Sequence, residues 1–340
     1  MLVLLQGEPE TLAWSRVGTE LLGFLGSYAL YGAVGARLVA PRLTARGAEA
    51  PGWAADGARG VAGIGIGGAL LSLATILIST ASRAAERHVS VGAALAAGGS
   101  RLTIQLGLFA AALLGFVLAR ARVGAGWALA GAAAVALAVR GLVPNMQWAS
   151  LVNPLHVLAG GLWLGTLGVL VVVLFPRLLR GGTGADAGLG GSRLDALVRR
   201  FSRLALVSSA LLGVTGVITA WRHLGAVDAL WTTPYGWMLD AKLVVVLAIV
   251  GLGFYNWRYA TPALGAGAGD AMLVRSSRRE VALGALVLAM TAVLVSLPAP
   301  AEERRPGGPP GAGAAPRPER GPSAQPAGAP TAGPPAPGAH

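Results

Sequence analysis

Two histidines and two methionines stand out in this sequence, because their nitrogen and sulfur lone pairs can bind a metal ion. His156 lies one turn inside an apolar segment, and His223 ends another such segment. Met146 precedes the segment of His156, and Met238 opens a later one. Cysteine is absent from the sequence. Thiol catalysis, disulfide frameworks and zinc ribbons are therefore excluded.

The positions of these residues predict one site near one end of a helical bundle. Asn153 and Pro154 predict a helix start just before His156, and His223 ends its helix at the same expected level. Thr215 and Thr219 precede His223 at intervals of four residues, which predicts a polar stripe on that helix. Imidazoles with soft thioethers suit Cu(I), whereas a hard ion would require several carboxylates. The predicted metal ligands are His156, His223, Met238 and Met146.

The same residues leave two other functions open, a haem protein and a scaffold, and Lys242 has two possible roles. Two histidines on neighbouring helices can also ligate one haem, which would make the protein a b-type membrane electron carrier. In a non-catalytic scaffold, His156 and His223 would only pack and hydrogen-bond. Lys242, the one lysine of the chain, is either a charge partner inside the bundle or an anchor that reaches the interface.

Motifs of soluble enzymes are absent from the sequence. It has no Walker loop, nucleophile elbow or HExxH sequence, so we expect no enzyme activity. The GxxxG spacings at Gly63–Gly67 and Gly161–Gly165 are interpreted as close helix packing, because small residues four apart let helices approach in lipid.

The segments that must position these residues are too apolar for a soluble protein. Hydrophobic residues make up 54% of the 340 residues, charged residues make up 12%, and the mean hydropathy is +0.63. Ordinary globular chains contain about 25% charged residues. Much of the surface must therefore face the lipid bilayer, which predicts an integral membrane protein.

Eight apolar runs are long enough to be membrane-spanning helices, which need about 20 residues each. They lack the alternation of a barrel wall, so the predicted fold is an all-α bundle of eight transmembrane helices. The predicted runs are 19–39, 60–81, 102–119, 124–140, 153–175, 202–222, 237–258 and 280–297.

Arginine placement predicts the orientation of the bundle. The formal net charge is +12, but the arginines lie between apolar runs, which favours membrane orientation over nucleic-acid binding. The fifth connection contains six arginines between Arg177 and Arg203, whereas the sixth contains only Arg222. The positive-inside rule therefore places the odd connections in the cytoplasm and both termini outside.

The chain divides into three predicted regions. Residues 1–142 contain the first four apolar runs, and residues 143–298 contain the four that carry the candidate ligands. Residues 299–340 consist mainly of proline, glycine and alanine with scattered charges. Such a segment buries too little apolar area to order itself, so a disordered outer tail is predicted.

Residues 145–298 resemble the copper resistance protein D family. The resemblance implies a bacterial inner-membrane protein of copper uptake or resistance that works with a periplasmic copper-binding partner. It also implies that His156 handles copper, as Cu(I) or Cu(II), with His223 as a second candidate. The stretches that carry the resemblance are Asn153–Gly165, Arg200–Ala205, Thr215–Gly216, Tyr235–Gly236 with Leu239 and Lys242, Asn256 with Pro262, and Arg275–Glu280.

Overall fold

A computed structural model describes residues 14–41, 52–140, 151–180, 187–263, 268–297 and 299–303. Regular structure in those ranges is helical, without strands. The candidate ligand Met146 and residues 304–340 of the predicted tail lie outside the described ranges. The helices are α1 (Trp14–Val39), α2 (Gly52–Glu86), α3 (Val91–Ala97), α4 (Gly99–Arg120), α5 (Ala125–Val139), α6 (from Val152–Gly160 to Phe175–Arg180), α7 (Ala187–Leu224), α8 (Ala229–Thr232), α9 (Pro234–Tyr255), α10 (Ala268–Ser296) and α11 (Pro300–Glu303).

Two of these helices contain π-helical turns. Helix α6 has them at Gly161–Gly165 and Leu170–Leu174, and it is the most buried of the long apolar helices. Helix α9 continues into a π-helical turn at Asn256–Ala260. Single π turns inside helices occur often at functional sites. Both helices also carry candidate functional residues.

The all-helical membrane class is confirmed, and the chain is a multi-pass membrane protein. Seven helices in the described ranges are long and apolar enough to cross a bilayer. The fourth predicted run corresponds to α5, which has 15 residues. At 1.5 Å per residue its length is about 22 Å, compared with a hydrocarbon core of about 30 Å. The count of eight spans therefore stays a prediction, as does the placement of both termini outside.

We expect α5 to cross the membrane in spite of its length. The α4–α5 connection includes Arg122 with a φ of 63°, and α5 packs back along α4, where Gly115 and Gly126 bring the two backbones together. Because the chain lacks cysteine, single-cysteine labelling has no background. Val123→Cys and Gln147→Cys should react with an impermeant thiol reagent from opposite sides of the membrane. Reaction from the same side would remove one span.

Helix α9 begins with the cap that the sequence analysis expected for α6. The Thr233 side chain accepts a hydrogen bond of 3.0 Å from the Gly236 amide, and Pro234 is the first helical residue. Helix α6 begins at Val152 instead, with Leu151 at the cap position and no side-chain cap. The expected cap at Asn153 is therefore wrong, because the helix starts before that residue.

One core joins helices from both predicted membrane regions. Buried apolar side chains of α1, α2, α4, α5, α6, α7 and α10 form it. The outward faces are also apolar, as in Leu206 and Val217 of α7, which are 73% and 71% exposed. Apolar residues on both the inner and outer faces are typical of a helix in lipid. The proposed division at residue 142 falls in a segment outside the described ranges and stays a prediction.

Helices α1 and α6 approach each other closely at the second glycine motif. A Cβ atom added to Gly165 would lie 2.1 Å from the Tyr28 carbonyl oxygen, and one added to Gly161 would lie 2.7 Å from the Tyr31 Cβ. In the first motif, Gly67 has open space, whereas neighbouring Gly65 packs against Phe116. Both motifs lie at helix contacts, but in α2 Gly65 makes the close contact and Gly67 does not.

Candidate metal centre

A hydrogen bond between α6 and α7 sets the orientation of the His156 imidazole. Its Nδ1 atom lies 3.0 Å from the Thr215 hydroxyl oxygen. That hydroxyl donates its single hydrogen to the Leu211 carbonyl at 2.7 Å, so it accepts from the histidine. Nδ1 therefore carries the proton in this arrangement. The lone pair of Nε2 is then available to bind a metal ion.

A glycine provides the space for this imidazole on α7. A Cβ atom added to Gly216 would lie 3.2 Å from the His156 Cε1 atom. Thr215 thus accepts the proton of the ring, and the neighbouring Gly216 lets the ring approach the helix. His156 is half-buried in this position. The pair Thr215–Gly216, which the resemblance singled out, positions the leading candidate ligand.

Lys242 of α9 also acts on this site. It is half-buried, and its charge interacts with the His156 imidazole. Lys242 is therefore a charged neighbour of the site within the bundle. Met238 lies four residues earlier on α9, on the same helix face and about 6 Å nearer the start of the helix.

His223 has a different environment from His156. Its Nδ1 donates to the Thr219 carbonyl of its own helix at 2.8 Å, since a carbonyl oxygen only accepts. The ring is exposed and stacks on Tyr235, with centroids 6.1 Å apart and planes inclined by 5°. Its Nε2 lone pair is therefore also available, but at the exposed end of α7.

Met238 lies near the exposed histidine. It is half-buried against a small apolar cluster that includes Tyr235, the stacking partner of His223. The thioether is thus close to the residues that hold the exposed histidine. The buried members of this cluster are Leu224, Ala229, Tyr235, Leu239 and Leu294.

The structure places His156 and His223 at different levels. His156 contacts Thr215, and His223 follows eight residues later on α7, a rise of about 12 Å. The two rings do not form the single site that equal depths would have produced, because α7 extends past the level at which α6 carries His156. Axial ligands of one haem must face the same iron, so this arrangement does not support the haem alternative.

A second buried polar group received no role in the sequence analysis. The Asn256 amide of α9 donates to the Glu280 carboxylate of α10, and both side chains are buried. In the sequence, this pair is indicated by Glu280, a carboxylate at the first position of the last apolar run. Charged side chains at membrane depth are costly enough to suggest a function.

No cluster of three or more histidine, cysteine, aspartate or glutamate residues that could hold a metal ion occurs in the described ranges. The described candidate ligands are instead separate: one imidazole half-buried in the bundle, one exposed at the end of α7, and a thioether near the second.

Comparisons with known proteins identify the region that contains most of these residues. The family described as copper resistance protein D matches residues 195–294. This range includes Thr215, His223, Met238 and Lys242, whereas His156 lies before it.

Among curated proteins, the copper transport protein CutJ of Bacillus subtilis (strain 168) is 27% identical over 152 residues. That alignment covers 45% of this chain and 26% of the relative, so the chain matches only about a quarter of the length of that protein. No solved structure matches the chain. The resemblance seen in the sequence is confirmed over residues 195–294, which match the copper resistance protein D family.

Proposed function

We propose that this protein transports copper across the bacterial inner membrane, or holds it there for delivery, in copper uptake or resistance. The observation that carries the proposal is the His156 imidazole, whose Nε2 lone pair is left available by the hydrogen bond from Nδ1 to Thr215. The family match and the name of the Bacillus relative support copper as the transported ion. We propose transport rather than catalysis, with a periplasmic copper-binding protein as donor.

The order of the candidate ligands suggests a path for the ion. His223 is exposed at the end of α7, and Met238 is half-buried against the apolar cluster that contains Tyr235. His156 is half-buried and contacts α7 about two turns before His223. Copper would bind first at His223 and Met238 and then move to His156. Imidazole and thioether ligands favour Cu(I). With the predicted orientation, an inside-negative potential would favour inward movement by about 2.3 kcal/mol per charge per 100 mV.

Metal and pigment analysis of purified protein tests this proposal against its two alternatives. Protein from copper-supplemented cells should contain copper in a fixed ratio to protein, and its reduced-minus-oxidised visible spectrum should lack a haem Soret band. A strong Soret band with no copper would replace the proposal by a haem protein. Absence of both copper and haem would leave the scaffold alternative.

A pair of glycine variants tests whether the position of the imidazole matters. Gly216→Val should weaken copper binding about tenfold, because its side chain would displace a ring on which the ligand geometry depends. Gly213→Val places the same residue one turn earlier on α7, where an added Cβ meets nothing within 4 Å. Titration of both purified variants with Cu(I) measures the difference. Equal affinities would show that His156 does not bind copper in this orientation.

A further inference from the structure

Glu280 is a carboxylate buried among membrane helices. The residue is 5% exposed, and Asn256 is 9% exposed. The Asn256 amide donates to Glu280, and Glu280 forms no ion pair with any residue in the described ranges. A neutral amide does not balance the charge of a buried carboxylate, whose isolation in an apolar environment is costly.

Two further oxygen atoms near this carboxylate have no hydrogen-bond partner among the described residues. They are the Asn256 Oδ1 and the Ser276 Oγ, and both are buried. Ser276 lies four residues before Glu280, on the same face of α10. Asn256 is held against that face by its bond to Glu280. Buried polar atoms without partners are rare in folded proteins, and coordination of a bound ion is one physical reason for them.

The backbone of α9 changes at the same point. The π-helical turn Asn256–Ala260 begins at the asparagine that contacts Glu280. The Asn256 carbonyl accepts from the Thr261 hydroxyl at 3.0 Å, a separation of five residues. The Asn256 side chain thus contacts α10, while the backbone carbonyl of Asn256 accepts a hydrogen bond within its own segment.

We propose that Glu280, Asn256 and Ser276 form a binding site for a hard monovalent cation, Na⁺ or K⁺. Carboxylate, amide and hydroxyl oxygens are hard ligands, which do not favour Cu(I). A single carboxylate balances one positive charge, whereas Ca²⁺ sites combine several ligands of this type. Asn256 lies 18 residues after Met238 on the α9 segment, about 27 Å along the helix. The site is therefore separate from the candidate copper ligands, so measurements of copper binding do not test whether it binds Na⁺ or K⁺.

Thermal unfolding of the purified full-length protein tests the site. Midpoints are compared at equal ionic strength in NaCl, KCl and choline chloride, without copper. A ligand that binds only the folded state stabilises it by RT ln(1 + [L]/Kd). We therefore expect the midpoint to rise with the logarithm of the concentration above Kd, by about 3–5 °C in the salt of the bound cation. The NaCl and KCl arms distinguish the two ions. Equal midpoints in all three salts would overturn the proposal.

Variants assign the effect to these residues. Glu280→Gln keeps the shape but removes the charge, and it should abolish the salt-dependent shift. Ser276→Ala removes one hydroxyl and should raise the Kd obtained from the concentration dependence of the midpoint about tenfold. Ser296→Ala is the matched control, because this hydroxyl on α10 already donates to the Ala292 carbonyl at 2.9 Å. If Glu280→Gln does not fold, Ser276→Ala decides alone. An unchanged Kd in Ser276→Ala, or a retained shift in Glu280→Gln, contradicts the site.

Discussion

His156→Leu is expected to weaken copper binding by at least about 100-fold while the protein still inserts and folds. Leucine fills a similar volume but has no lone pair for a metal. Loss of a partner that only orients a ligand costs about 10–100-fold in affinity, so loss of the ligand itself should cost at least as much. Cu(I) titration of the purified variant, together with cellular copper content, measures the effect.

Two companion variants separate a ligand role from a packing role. His156→Cys offers a soft thiolate at the same position and should retain part of the copper binding. His223→Leu should have a smaller effect, because His223 is exposed at the end of α7 and His156 contacts α7 two turns deeper. If His156→Leu binds copper like the unaltered protein, His156 is structural. The site would then have to be sought at His223 and Met238.

Gly32→Ala is expected to destabilise the bundle by about 3 kcal/mol. A Cβ atom at this position would lie 2.4 Å from the carbonyl carbon of Gly165 in α6. The obstructing atoms are backbone, so no side-chain rotation relieves the overlap and one helix must move. The thermal unfolding midpoint should fall by several degrees.

Gly18→Ala on the same helix is the matched control. An added Cβ at Gly18 meets nothing within 4 Å, so only helix propensity changes, which favours alanine by up to about 1 kcal/mol. The two variants make the same chemical change on α1 with opposite expected signs. A midpoint that falls equally in both would show that the contact between α1 and α6 does not limit stability.

The helices were predictable because lipid imposes a simple requirement on sequence. A spanning segment needs enough apolar residues to cover the bilayer core and must satisfy its backbone internally. The runs at 19–39 and 202–222 therefore lie within α1 and α7. Helix α7 begins earlier because Leu194, Leu197 and Val198 bury an apolar face in the core. Hydropathy averaged over a span does not detect this amphipathic extension.

The candidate site was predictable only in its residue types. His156, Thr215 and Gly216 are visible in the sequence, but the distance of 59 residues between His156 and Thr215 contains no information about their contact. The expected pairing of His156 with His223 assumed that the helices end at equal levels. The length of α7 beyond its contact with α6 separates them by about 12 Å.

Composition and apolar run length are enough to establish a helical membrane protein, because transfer into lipid depends on each segment alone. They also leave imidazole and thioether groups as the side-chain ligands for a soft metal ion, since the chain has no cysteine. The tautomer of His156, its approach to Gly216 and the bond between Asn256 and Glu280 emerge only when the helices pack. These features depend on the register and crossing of separate helices, which arise from contacts between residues far apart in the chain.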